Sequence, residues 1–172
     1  QGAVNVNTTP VTVNANSTAD QSLMSYTVPA RMLNILGNTV RVRCFGVYTT
    51  QAAEIPTLTF KVKLGGVTIV SIVSGASIAA STNDPWQFEA TLSTVTTGGT
   101  GTLEAHGDLK IVLSATATAA LAGYLDTNTA VSGAIDLTAN QTLQITVAFS
   151  TQPALDPRNA ATQRQMAVEL LA

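Results

Sequence analysis

The chain has 172 residues, enough for one ordinary domain with a real core and too few for two. Hydrophobic residues make up 45% of it and charged residues only 10%, against roughly 25% charged in a typical soluble chain, so Thr, Ser, Asn and Gln must fill the polar positions of an unusually neutral surface. Eight Lys and Arg against ten Asp and Glu leave no basic field for nucleic acid, one cysteine excludes an internal disulfide or a CxxC metal site, and no apolar run reaches the roughly 18 residues of a membrane span.

The first segment, "GAVNVNTTPVTVNA", alternates Val4, Val6, Val11 and Val13 with Asn and Thr around Pro10. It reads as an edge strand or an extended arm, because proline removes a ladder donor and is tolerated mainly at sheet edges. The N-terminus lacks the charged-then-apolar layout of a signal peptide, and the chain is expected to be soluble. "SLMSYTVPA" is a short strand ended by Pro29. In "NTVRVRCFGVYTT" Val40, Val42 and Cys44 alternate with Arg41, Arg43 and Phe45, so the second face carries charge and an aromatic and is expected to be half covered.

"TLTFKVKLGGVTIVSIV" opens with clean alternation and reverses at Gly65-Gly66, a two-residue hairpin signal. With Leu64 opposite Val67, simple alternation puts Val67, Ile69, Ser71 and Val73 on the buried face and turns Val70 and Ile72 outward, where a neighbouring chain is expected to cover them. "SGASIAASTNDP" reads as a loop of small residues. "WQFEATLSTV" is a strand with Trp86, Phe88, Ala90 and Leu92 on one side, and "TTGGTGT" reverses it into "LEAHGDLKIVLSAT" as a second long hairpin. "ATATAALAGYLDTNTAVSG" is patterned for a short helix or a long surface loop. "GAIDLTANQTLQITVAFST" suggests two strands around Ala139-Asn140. The final "RNAATQRQMAVELLA" fits a helix by propensity and a strand by the alternation of Met166, Val168 and Leu170.

Some eight to ten short strands and almost no helix describe an all-β, antiparallel β-sandwich of jelly-roll-like form. Chemistry is sparse in it. His106 is the only histidine, and the acids are scattered singly, so no metal site or cofactor is expected. Cys44 reads as a buried, unreactive thiol. No GxSxG stands in the chain, which leaves Glu89 and Glu104, on expected hairpin partners, as the one nominable carboxylate pair. Trp86, Tyr48, Tyr26 and Tyr124 are dispersed and read as core or interface residues rather than a sugar platform. The apolar positions left outward, Phe45, Val47, Val70, Ile72 and the Leu170-Leu171 pair at the C-terminus, point to contact with another chain.

The progression "STADQSLMSYTVPARMLNILGNTVRVRCFGVYTT", "TLTFKVKLGGVTI" and "PWQFEATLSTVTTGGTGTLEAHG" resembles a β-sandwich module of tailed-bacteriophage virion proteins. The resemblance covers roughly Ser17 to Gly107, and "RQMAVELL" is similar to the module's final strand. It implies a capsid decoration (cement) protein or a tail fibre or spike head, usually a homotrimer, with no catalytic residues to carry over. The chain holds little beyond the module, without a coiled-coil or β-helical shaft, which favours a decoration protein on the capsid exterior. The expectation is therefore an arm or edge strand at 1–16 and one sandwich domain at 17–172, neither an enzyme nor a nucleic-acid or membrane binder. It would bind the major capsid protein or another virion protein. The expected contact residues are Val4, Val6, Val11 and Val13 of the arm and Phe45, Val70 and Ile72 at subunit interfaces. The other reading is a host receptor- or glycan-binding head, with Ser81 to Trp86 as its loop.

Overall fold

In the computed structural model residues 2–51, 56–75, 80–115, 118–125, 131–150 and 158–171 are described. They form eleven strands: β1 (Gly2–Asn7), β2 (Val11–Asn14), β3 (Gln21–Val28), β4 (Thr39–Thr50), β5 (Leu58–Leu64), β6 (Val67–Val73), β7 (Ser81–Thr96), β8 (Thr102–Ala115), β9 (Thr118–Leu125), β10 (Gln141–Phe149) and β11 (Ala160–Leu170). The protein is an all-β sandwich of two antiparallel sheets, one of seven strands in the order β1-β11-β4-β7-β8-β9 with β2 also on β11, the other of four in the order β3-β10-β5-β6. The layers are unequal because β7, β8 and β9 follow one another by reversals within one sheet, whereas β3 to β4, β4 to β5 and β10 to β11 each cross between sheets.

The N-terminal segment is an edge of its own sheet. β1 and β2 lie end to end along β11, with Asn7 opposite Met166 and Val11 opposite Gln163. The gap between them is Thr8-Thr9-Pro10, where proline has no N–H to give to a ladder. Val11 and Val13 pack against the core and Val6 is exposed. The side chain of Val4 lies outside the described residues.

The core is built from alternate positions of both sheets, and its centre is aromatic. Phe60 of β5 meets Trp86 and Phe88 of β7 with ring centroids 4.7 and 6.2 Å apart, joining the two layers. Trp86 donates its indole N–H to the Val47 carbonyl at 3.2 Å, and the Tyr48 hydroxyl donates to the Val112 carbonyl at 2.5 Å, so both polar tips are satisfied inside.

The β5–β6 hairpin corrects the largest expectation. Gly65 and Gly66 have φ of 58° and 83°, the two left-handed residues that a type I′ turn requires, and Leu64 does face Val67. One step further the ladder slips: Lys63 pairs with Thr68 and Val62 with Val70, leaving Ile69 as an extra residue in a β-bulge. Every later side chain changes face. Val70 and Ile72 are 1% and 4% exposed, buried in their own subunit where β6 lies over β8, and Val73 is the exposed residue. They are core residues and are withdrawn as interface candidates.

Other segments also differ from their patterns. Residues 118–125, patterned for a helix or loop, form strand β9 on β8, and the C-terminal segment is strand β11 between β4 and the two N-terminal strands. β7 begins at Ser81, so most of the expected receptor loop is ladder, and its Trp86 is buried. Residues 133–140 contribute a turn and a single bridge, Ile135 to Gly101, rather than a strand.

Candidate functional site

The two outer faces differ in character. On the small sheet, Asp20 from the β2–β3 connection folds over β5 and takes Lys61 and Lys63 at 2.8 and 2.5 Å. Partial burial works to raise the Asp20 carboxyl, but the hydrogen bonds and charges of both lysines outweigh it and hold it below its ordinary value of 3.8. A carboxyl lowered by folding contributes its full stabilisation above that ordinary value, and the contribution is lost as pH falls on through the lowered value of the folded state. Asp20→Asn is therefore expected to cost about 1 kcal/mol at neutral pH, with the difference from wild type vanishing in melts below the carboxylate range. A gap that persists there would show that Asp20 acts through packing instead.

The outer face of the large sheet is the candidate site. Its strands run β11, β4, β7, β8, and the register places outward residues in rows across them. One row holds Ala167, Arg43, Glu89 and Asp108; the next holds Gln165, Phe45, Gln87 and Lys110. Beyond them Val47 lies opposite Pro85, and on the other side Arg41 lies between Glu169 and Thr91. The charges are paired within the face: Arg43 to Glu89 at 2.9 Å, Lys110 to Asp108 at 3.4 Å, and Arg41 to Glu169.

In the middle stands Phe45, 47% exposed. A shallow hollow lies on each side of the ring, one bounded by Arg43, Gln165 and Glu169, the other by Pro85, Lys110 and Val112, with Gln87 shared. β4 can aim Phe45 outward because its alternation is unbroken from Val40 to Tyr48, with Cys44 and Gly46 turned inward. Burial pushes the Cys44 thiol far above its ordinary value, and the thiol donates to the Phe88 carbonyl at 3.6 Å, so it is protonated and inert.

Of the residues picked from the sequence, the structure puts Phe45 and Val47 on this face, Val6 on the far edge, and Val70 and Ile72 in the core. Glu89 and Glu104 do not form a pair: Glu89 faces Asp108 while Glu104 faces Ser93, four residues along β7 and so roughly 13 Å away. Among the described residues no three His, Cys, Asp or Glu side chains cluster as metal ligands would. One exposed feature escaped the sequence reading. Ile35 and Leu36, 61% and 66% exposed, sit on the β3–β4 connection, which is pinned by Gly37 and Asn38 to Thr94 of β7 and by Asn34 to Gly98. The signal was there in two bulky aliphatics before Gly37, inside a segment too short to bury them.

No protein-family model matches the chain, and no curated protein matches it. A solved structure, the CBM2 module of the evolved Dit of Lactobacillus casei BL23 phage J-1, is similar with 10% identity and a TM-score of 0.36 over 84% of this chain; the chain spans 66% of that one's length. At that score the likeness assigns no role.

Proposed function

We propose that the chain is a non-enzymatic structural module of a bacteriophage virion, a capsid decoration protein that holds its place through protein–protein contacts, with the Phe45 face as its subunit interface. The observation that carries this reading is the chemistry of that face. A half-exposed aromatic is ringed by amides and by charges already neutralised in pairs, so another chain can cover it without stranding an ion. A neutral, Thr- and Asn-rich surface suits close packing among many copies, and the sequence resemblance to virion modules points the same way. Self-association, trimeric in the modules the sequence resembles, makes attachment multivalent, so modest contacts add up to firm binding. Exposed Val6 and the Ile35–Leu36 tip remain for contact with the major capsid protein or another virion protein.

The test is rebinding to particles stripped of the protein. Truncating a central interface aromatic costs about 2 kcal/mol or more per contact, so Phe45→Glu is expected to weaken rebinding at least roughly thirtyfold while melting as wild type does. Full rebinding by a folded Phe45→Glu protein would reject the reading. A second reading has one observation in its favour: an exposed ring flanked by Gln87 and Gln165 is also a surface on which a sugar can stack. Glycan-array or cell-surface binding lost in Phe45→Glu, with capsid rebinding untouched, would establish a receptor-binding head instead.

A further inference from the structure

We infer that the occupant of the Phe45 face is a second copy of the same face, related by a two-fold axis that runs parallel to the strands along the seam between β4 and β7. The inference rests on the subunit-interface reading above and adds the partner and its symmetry. β4 presents the cationic and apolar column, Arg41, Arg43, Phe45 and Val47, and β7 presents the anionic and polar column beside it, Thr91, Glu89, Gln87 and Pro85, matched row by row. Rotation about that axis keeps each row at its height and exchanges the columns. Arg43 then lies over the second copy's Glu89, Phe45 over its Gln87, and Val47 over its Pro85, each contact made twice.

The flanking strands follow the same rule. Gln165 of β11 comes over the second copy's Lys110 of β8, and Glu169 over its His106. The other in-plane two-fold, perpendicular to the strands, would lay the Arg43 row on Val47 and Pro85 and bury charges against carbon. Charge complementarity therefore selects one axis. Because Arg43 and Glu89 are already paired at 2.9 Å within each chain, closing the interface turns two neutral pairs into a cycle of four charges and leaves none alone. Sheets packed face to face keep their strands within about 30° of alignment. The twist carries the outer rows out of register, so the match is required of the two central rows, Arg43 with Glu89 and Phe45 with Gln87. This contact joins chains in even numbers, whether or not a three-fold contact elsewhere gathers them into trimers.

Charge reversal tests it. In Arg43→Glu the row at position 43 is anionic on both strands, and in Glu89→Arg it is cationic on both; each variant alone is expected to lose self-association by at least tenfold in light scattering. An equimolar mixture of the two is expected to regain it, as is the double variant carrying both changes in one chain. Circular dichroism melts of each variant confirm that the fold is intact. The wild type is expected at an even multiple of the 17.7 kDa chain mass. A wild type that stays monomeric at micromolar concentration, an odd assembly unmoved by either reversal, or a mixture that fails to associate would each overturn the inference. If the reversals change nothing while Phe45→Glu still abolishes particle rebinding, the face binds the capsid, and only the second-copy assignment falls. If Phe45→Glu also rebinds normally, the interface reading falls with it.

Discussion

Gly46→Ala is expected to destabilise the protein by about 3 kcal/mol or more, beyond the usual range for an added methyl in a tight core. Gly46 lies mid-strand in β4, paired with Trp86 on one side and Gln163 on the other. A Cβ there would sit 1.8 Å from the Thr162 carbonyl oxygen and 2.7 Å from Cζ2 of Trp86. Neither obstacle can yield. The first is backbone just before the β11 bulge between Gln163 and Gln165, and the second is a buried indole held by its hydrogen bond to Val47. In a chain of this length each kcal/mol lowers the melting temperature by roughly 2–4 °C, so a fall of about 10 °C, or failure to accumulate soluble protein, is expected. Gly66→Ala provides the comparison. Its added Cβ meets nothing within 4 Å, and only the φ of 83° resists it, at a cost of about 1–2 kcal/mol. If Gly66→Ala proved the more damaging, the close approach at Gly46 would not be the constraint described.

Phe60→Ala should be of similar size, about 3–5 kcal/mol for a fully buried ring whose cavity cannot collapse. Phe60 is 0% exposed, and its ring, carried by the small sheet, meets both Trp86 and Phe88 of the large one. Its loss removes packing from both layers at once. Trp86 is the only tryptophan, so its fluorescence reports this site alone: a shifted emission maximum is expected beside the lowered denaturation midpoint. Val73→Ala, on the same hairpin but with its side chain in solvent, should change stability by less than about 0.5 kcal/mol. An unshifted spectrum in a Phe60→Ala protein of near-normal stability would show that the sheets are held together elsewhere.

The strands legible in the sequence were those whose alternation is uninterrupted. From Thr39 to Thr50 and from Trp86 to Val95 the pattern gave the correct faces, and with them Phe45 as an outward aromatic. The misreading of Val70 and Ile72 has one cause. Remove Ile69 from "VTIVSIV" and the remainder alternates perfectly, Val67, Val70 and Ile72 inward, Thr68, Ser71 and Val73 outward; the bulge is a one-residue insertion that pattern reading takes for a broken face. Strand β9 escaped for another reason: Ala and Gly carry little periodic signal, and its place is fixed by pairing with β8. The candidate site was only half legible. Phe45 could be chosen from its own strand, but that Arg43 meets Glu89 and Phe45 meets Gln87 depends on the register between β4 and β7, which a single sequence does not carry.

The pairing of β1 with β11 has a further consequence for how the module can be built into something larger. Gly2 is the ladder partner of Leu170, so the chain enters and leaves the sandwich side by side at one corner of the large sheet. A fold that closes on itself in this way can be spliced into a turn of a host protein with little strain, hanging from it like a bead on a loop. Polypeptide added ahead of position 2 or after position 170 emerges next to the other, at the end of β11 beyond the Arg41–Glu169 pair, so a tether placed there holds this corner and leaves the opposite end of the sheet free to swing.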